Sequence, residues 1–407
     1  MSVCRNCSAP LRITFVDLGT SPLSNSYVSR EREREMEPFF PLHAYVCERC
    51  FLVQLEAFET PENIFSEYAY FSSYSESWLE HSRRYAESAT RRLALGRGAL
   101  VCEAASNDGY LLQFFREAGI DVLGIEPARN VASVALEKGI RTESIFLGRE
   151  SGSTLRERYG ESNLVIANNV IAHVPDVHDF VGGLKEMLAP GGVLTIEFPH
   201  LVELIEQVQF DTIYHEHFSY YSLYAMERVL ERNALRVWDV ETIPTHGGSL
   251  RVWAVRFEDP RVEEPRVAAL RAREAAFGVT DLGRYRSFSA DVARRKRELL
   301  RFLIEAVEEG KSVVGYGAPA KGNTLLNYCG VRADMLAYTV DRNPEKQGKL
   351  LPGSRIPVYA PEHYRETRPD YVLILPWNIR DEIIAQTSFI REWGGRHVIA
   401  IPEISVR

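Results

Sequence analysis

Between Ala99 and Pro199, short apolar runs alternate with longer amphipathic ones, and no other feature of the chain constrains its fold as tightly. ALVCEAAS reads as a buried strand, YLLQFFREAG as a helix and DVLGIEP as a second strand. NLVIANNVIAHV is another strand, VHDFVGGLKEMLAPGG a helix closed by a Pro-Gly-Gly turn, and VLTIEFP the next strand. Strands alternating with helices predict a parallel, doubly wound sheet. Such sheets bind ligands outside the carboxyl ends of their strands. Residues at those ends are therefore the first candidates for a site.

Glu103 closes the first strand, and the small polar turn Ser106-Asn107-Asp108-Gly109 follows it. A turn of this kind lets backbone come close to a ligand. Glu126, followed by Pro127, closes the second strand, where an acid can accept hydrogen bonds from both ribose hydroxyls. Asn168 and Asn169 close the next. The phosphate-binding G-x-G-x-x-G is missing from the first turn. A nucleoside cofactor without a pyrophosphate fits better than NAD, and S-adenosylmethionine is such a cofactor. In this order the features resemble a class I S-adenosylmethionine-dependent methyltransferase, with Ser106 and Asn107 where the common motif carries glycines. The bland alternative is a generic α/β domain whose acids cap loops.

A chain of 407 residues exceeds one ordinary core and predicts two or three domains. Four of its six cysteines form two close pairs, Cys4-x2-Cys7 and Cys47-x2-Cys50. Two such turns facing one ion make a tetrahedral zinc site with no open position, hence a structural one. It would stabilise a module too small for its own core. The alternative is unpaired buried cysteines. The formal net charge of −8 gives no overall basic footprint for nucleic acid. No apolar run is long enough to span a bilayer, and no basic-then-apolar leader opens the chain, so a cytoplasmic protein is expected. REREREMEP, Arg30 to Pro38, reads as a solvated loop or helix face.

FDTIYHEHFSYYS, Phe210 to Ser222, follows the strand VLTIEFP and falls where the chain would close over the strand ends. Histidine carries protons near neutral pH, and His173 lies on the same rim. Glu216 and His217 are adjacent in sequence and generally point apart, so mutual hydrogen bonding does not follow. A lone histidine is usually structural; two histidine sites converging on one rim favour catalysis.

LGTSPLSNSY with the two C-x2-C turns, then YAYFSSYSESW, EAASNDGYLL, YHEHFSYYS, HGGSLR and GYGAPAKGNTLLNYCG follow one another along the chain. In that order they resemble the sugar C-methyltransferases that make branched deoxysugars for antibiotics, nearest to the nucleotide-sugar C-3′-methyltransferases, over essentially the whole chain. The resemblance implies an α/β protein with a zinc-binding module at 1–66. A class I methyltransferase domain of Rossmann-like fold at 67–258 and a second Rossmann-like domain at 259–407 complete it. It implies a dTDP-linked 4-keto-deoxysugar as substrate, with S-adenosylmethionine and structural zinc as cofactors. Charge and hydropathy predict no nucleic-acid or membrane partner, and three mutually packed domains could suffice as a monomer. By motif, Tyr70, His173, Tyr214, Glu216 and His217 match active-site positions, with His217 as the base. His215, Tyr74 and Tyr220 receive no role. A proton alpha to a ketone is acidic because the enolate spreads charge onto oxygen. His217 would remove it, and donors among Tyr70, Tyr214 and His173 would stabilise the oxyanion.

KSVVGYGAPAKGNTLLNYCG then reads as strand, Gly-rich turn and helix, with Gly315, Gly317 and Ala320 matching G-x-G-x-x-A and Asp341 ending the next strand. Taken alone this suggests a dinucleotide site. The resemblance instead implies a domain that helps bind the nucleotidyl sugar. Lys321, at a helix start, suits a diphosphate, and Asn323 adds a polar contact. His246 falls near the domain junction, where Gly247 and Gly248 permit close backbone approach. Pure scaffold is the alternative. Rivals to the functional reading are O- or N-methyl transfer, C-5′ methylation, and a zinc-containing interaction protein that binds S-adenosylmethionine without turnover.

Overall fold

The computed structural model describes residues 2–60, 72–74 and 76–407. Tyr70 falls outside them.

Three strands open the chain: β1 (Ile13–Ser21), β2 (Phe40–Val46) and β3 (Val53–Leu55). In β2 Leu42, Ala44 and Val46 are buried while His43 and Tyr45 are partly exposed, the alternation of a sheet with one face on a core. The REREREMEP segment is largely exposed and contains only a short turn, Arg30–Arg32.

The middle of the chain supplies β4 (Leu100–Ala104), β5 (Asp121–Ile125), β6 (Thr142–Glu143), β7 (Ser162–Asn168) and β8 (Leu188–Pro199). Next come β9 (Ser219–Tyr220), β10 (Leu235–Ile243) and β11 (Ser249–Arg256). Seven of these form one sheet in the order β10-β11-β8-β7-β4-β5-β6. Strands β4 to β8 pair in parallel, and β11 runs antiparallel to both β8 and β10. All five residues of β4 are buried, as a parallel strand covered on both faces requires. The helix Val177–Met187 starts at an Asp176 cap, whose carboxylate accepts from the amides of His178 and Asp179. It stops at Met187, earlier than its sequence suggested. Leu188 and the Pro-Gly-Gly turn already belong to β8, where the pairing with β7 shifts register.

β9 leaves this sheet altogether. It pairs with β3 and completes the N-terminal sheet, in the order β1-β2-β3-β9. The end of YHEHFSYY is thus a strand of the cysteine-bearing module.

The helix Leu282–Glu308 leads to the third unit. Its Phe288 stacks on Phe15 of β1 at 4.5 Å between centroids. Beyond it lie β12 (Val313–Tyr316), β13 (Thr339–Val340), β14 (Val358–Tyr359), β15 (Tyr371–Ile374), β16 (Arg396–Ile399) and β17 (Ser405–Val406). They order as β14-β13-β12-β15-β16-β17, parallel except for β17. The order reverses between β12 and β15, which makes the crevice at their carboxyl ends the natural ligand position. Among the described residues no helix is long and apolar enough to cross a membrane.

Candidate active site

The carboxyl ends of β4, β5 and β7 carry a concentration of unsatisfied polar groups. The Ser106 hydroxyl and the side-chain oxygens Oδ1 of Asp108, Asn168 and Asn169 are buried without a hydrogen-bond partner among the described residues. Buried polar atoms are costly to leave unpaired, so this cradle fits a polar ligand such as S-adenosylmethionine. Ala105, Asn107 and Asn169 adopt the left-handed conformation, turning the chain sharply at two strand ends. The Glu126 carboxylate already accepts two backbone amides, Asn107 N and Ala128 N, each at 2.9 Å. It braces the turn, and only its remaining lone pairs are left for a ribose. Burial raises its pKa, partly offset by those two bonds. Burial also drives the Glu103 pKa well up, against a contact from Tyr110. Gly109 has a packing role: a Cβ there would meet Ile140 at 2.4 Å. Pro127 follows Glu126 at the rim and is half-buried.

Glu197 belongs to the same edge and was not among the candidates. Its signal was available: it is the charged residue within the apolar strand VLTIEFP. It is fully buried, with Oε2 accepting from Arg251 at 2.8 Å and lying 3.3 Å from His81 Nε2. Burial disfavours its charge, but His81 and Arg251 outweigh that and hold the acid at about 2. Trp78 stacks on His81 at 4.9 Å and faces His246 at 5.4 Å.

His173 and His217 meet edge to face with centroids 4.7 Å apart. His173 lies in the turn Ile171–His173 beyond β7, not in the strand itself. His217 Nδ1 faces the Thr212 carbonyl at 2.8 Å and must donate to it, because a carbonyl only accepts. Its Nε2 therefore carries the lone pair, to which the Tyr214 hydroxyl donates at 2.7 Å. By the same reasoning His173 Nδ1 donates to the Glu216 carbonyl at 2.8 Å. Burial holds His173 at about 4. Burial and the neighbouring His173 push His217 well below its ordinary value, so both rings are neutral near pH 7. The Glu216 carboxylate is engaged elsewhere, accepting from Asn25 Nδ2 at 2.7 Å. Burial raises it to about 7, against the Asn25 bonds. His215 faces the Pro41 carbonyl at 3.1 Å and packs on Phe40.

The C-terminal unit closes the other side. Lys321 Nζ donates to Asn378 at 2.8 Å and lies 4.7 Å above the Trp377 ring. Trp377 Nε1 donates to Asp211 at 2.7 Å. Burial raises Asp211 to about 6 against Lys321 and Trp377, and burial lowers Lys321 against Asp211. Gly247, in the left-handed region, has Trp377 where a Cβ would be, 2.5 Å away. His246 is held at about 4 by burial and by Lys321. Asn323 faces the N-terminal loop. It is buried and donates to the Ser24 carbonyl at 2.7 Å, tying the N-terminal loop to the junction. The G-x-G-x-x-A turn is likewise engaged. Its Ala318 amide donates to Asp341 at 2.7 Å, and its Ala318 carbonyl accepts from Tyr27 and Lys346. The acid that would take a ribose is committed to the turn itself.

Cys4, Cys7, Cys47 and Cys50 place their sulfurs within 4.8 Å of one another. Two contacts, Cys4–Cys50 and Cys7–Cys47, are 3.4 Å, too long for a disulfide and close to the ~3.8 Å edge of a tetrahedron with Zn–S bonds of about 2.3 Å. Both pairs lie in matching turns. The Ser8 amide bonds the Cys4 carbonyl at 2.8 Å and the Phe51 amide bonds the Cys47 carbonyl at 3.0 Å. The donors set fits zinc, and Gln54 Nε2 donates to the Cys4 sulfur at 3.2 Å, an outer contact of the kind that steadies a metal ligand.

Family models match three consecutive stretches: a zinc binding domain at 4–65, a methyltransferase domain at 78–240 and a C-methyltransferase C-terminal domain at 244–402. The chain is 40% identical to C-methyltransferase NovU of Streptomyces niveus over 400 residues, covering 98% of this chain and 95% of that one. A ubiquinone biosynthesis O-methyltransferase of Bradyrhizobium sp. strain ORS 278 is 27% identical over 155 residues, 32% of this chain and 60% of its own. Among solved structures, 1,6-didemethyltoxoflavin-N1-methyltransferase of Burkholderia thailandensis aligns with 51% of this chain and 95% of its own. Its identity of 16% and TM-score of 0.36 are too slight to bear on activity. The near full-length match and the three consecutive domains place the chain in the C-methyltransferase family, as an S-adenosylmethionine-dependent methyltransferase with a zinc-binding module.

Proposed function

We propose that the enzyme methylates the carbon alpha to the ketone, C-3′, of a dTDP-linked 4-keto-deoxysugar, with His217 as the base. The observation that carries this reading is the tautomer of His217: a neutral ring, fixed through Nδ1, with its lone pair at Nε2. A general base must be unprotonated and aimed. His217 takes the alpha proton at Nε2, and the bond's electron pair moves into the enolate. Tyr214, once its hydroxyl turns from His217 Nε2 to the oxyanion, and Tyr70 are the donor candidates. His173 matches the motif and packs edge to face on His217, with its proton on Nδ1 and only a lone pair at Nε2. Glu103, the 106–109 turn, Glu126, Pro127, Asn168 and Asn169 hold S-adenosylmethionine, which supplies an electrophilic methyl group for the enolate carbon. Aligning the reactants accounts for up to ~7–11 kcal/mol of the barrier.

Lys321, at the start of the helix Ala320–Cys329 and in the crevice where the strand order reverses, receives the diphosphate. His246 lines the same junction, with Asn323 acting as its strut. An arriving anion offsets the Lys321 charge, one of the influences that depress His217, so substrate binding strengthens the base. We assign zinc binding to residues 1–66, methyl transfer to 67–258 and nucleotide-sugar binding to 259–407. Every group in this scheme comes from one chain, which suits a monomer. Six free cysteines accord with a cytoplasmic protein.

Incubation with S-adenosylmethionine and a panel of dTDP-4-keto-deoxysugars, with and without a 3-amino group, tests the reading. Mass spectrometry reports methyl gain and NMR locates it. Methyl at C-3′ is the expected result. Methyl at C-5′, also alpha to the ketone, keeps the base and moves the sugar. Methyl on oxygen or nitrogen removes His217 from its role. Binding of S-adenosylmethionine without transfer to any acceptor points to an interaction protein.

A further inference from the structure

We infer that Arg5 is a positioning residue for His217, through which the zinc turn sets the backbone of the catalytic segment; the inference rests on His217 being the base. Arg5 sits inside the first turn, between Cys4 and Cys7. Its own amide donates to Gln54 Oε1 at 2.9 Å, while Gln54 Nε2 reaches the Cys4 sulfur. The Arg5 amide is therefore held by a side chain that also touches a metal ligand. Its guanidinium donates to the Phe218 carbonyl at 3.0 Å and lies 5.3 Å from the Phe218 ring centroid. Phe218 is the residue after His217.

The Phe218 peptide is pinned from three sides. Its carbonyl accepts from Arg5 and from the Leu55 amide at 3.0 Å, and its amide donates to the Ala172 carbonyl at 2.7 Å, beside His173. Next in line, Ser219 and Tyr220 pair with Gln54 and Val53. The far side of the turn is anchored as well. The Asn6 carbonyl accepts from His178 Nε2 at 2.9 Å and from Arg232 at 2.6 Å, both on methyltransferase helices. The turn thus spans two fixed points, and Arg5 is the side chain that carries its position to the catalytic strand. A displacement of about 1 Å at a reacting group can cost ~100-fold in rate, so a single strong bond at this place matters to turnover more than to folding.

The test compares Arg5→Ala and Arg5→Lys with the parent enzyme, all zinc-loaded. Zinc content is measured by mass spectrometry of the intact folded protein and S-adenosylmethionine affinity by calorimetry. Amide hydrogen exchange is followed over 214–220, and exchange of the substrate's alpha deuterium by NMR. In Arg5→Ala we expect parental zinc content and cofactor affinity and faster amide exchange in 214–220. We also expect kcat for alpha exchange to fall about 10–100-fold with KM within twofold. Arg5→Lys, which keeps one charged donor, recovers part of both. Unchanged amide exchange in 214–220, or an unchanged kcat, overturns the inference. So does a loss of rate that merely tracks a loss of zinc or cofactor. Should Arg5→Ala not fold, Arg5→Lys carries the same comparison against the parent. Failure of the parent enzyme to exchange the alpha deuterium would instead remove His217 as base, and the amide exchange would still report whether Arg5 holds the segment.

Discussion

Replacing His217 by Asn separates its two nitrogens. The Asn amide nitrogen falls where Nδ1 is, so it can keep the bond to the Thr212 carbonyl, 2.8 Å away in the parent. It has nothing at Nε2, the atom to which Tyr214 donates at 2.7 Å. The cost to stability is small: one lost hydrogen bond to a half-buried tyrosine, about 1 kcal/mol. The cost to rate is the whole general-base term, about 10²–10⁴-fold, or ~2.7–5.5 kcal/mol on the barrier. His217→Gln makes the opposite cut, with an amide at the Nε2 position and no donor for Thr212. Both are expected to bind S-adenosylmethionine as the parent does, and both to lose alpha-deuterium exchange and methyl transfer in parallel. Quench-flow with NMR detection of exchange and mass spectrometry of product gives both rates. A His217→Asn enzyme within tenfold of the parent, still exchanging the alpha position, would refute the assignment.

Lys321→Met should raise KM for the nucleotide sugar by about 10–100-fold, the worth of a charge-assisted contact, with cofactor affinity unchanged by calorimetry. Gly124→Ala would place a Cβ 2.5 Å from the Ser106 hydroxyl. An overpacking cost of about 1–3 kcal/mol at that turn should appear as about 5–150-fold weaker S-adenosylmethionine binding. Burial holds His173 at about 4 against an ordinary 6.5, so the unfolded chain takes up this proton first. Its share of stability is complete above about 6.5 and is lost as pH falls through 4, in all ~3 kcal/mol. His173→Asn should flatten that part of the curve of urea midpoint against pH. Stripping the metal should melt the module that contains β1 to β3 and, because β9 pairs with β3, raise amide exchange in 214–220 as well.

What the sequence made legible was whatever is encoded locally. β4, β5, β7 and β8 read as apolar runs because parallel strands bury both faces, and the cysteine turns read as a metal site because two ligands sit three residues apart in each. β6, β9 and β14 are two residues long and exist only through pairing with strands elsewhere, so no local pattern announces them. The same division runs through the site. His173 and His217 could be named from their motifs. His217's partners Thr212 and Tyr214 lie in the same segment. The partners of the neighbouring acids could not be named: Asn25 is 191 residues from Glu216, and Trp377 is 166 from Asp211.

That division has a consequence for the chemistry. A histidine in isolation titrates near 6.5 and would be partly protonated at neutral pH. Burial, then His173, holds His217 neutral, and Lys321 of the C-terminal unit adds to it. Glu216 is pushed up to about 7 by burial, and its bond from Asn25 comes from the N-terminal loop. The motif YHEHF supplies the groups, but their protonation states belong to the assembled three-part chain. A methyltransferase domain cut free of its neighbours would keep every residue of the motif and lose the Lys321 charge that helps keep His217, the proposed base, neutral, together with the Asn25 bond to Glu216. For this reason the flanking units are best regarded as parts of the active site, and activity should not survive their removal even where the central sheet still folds.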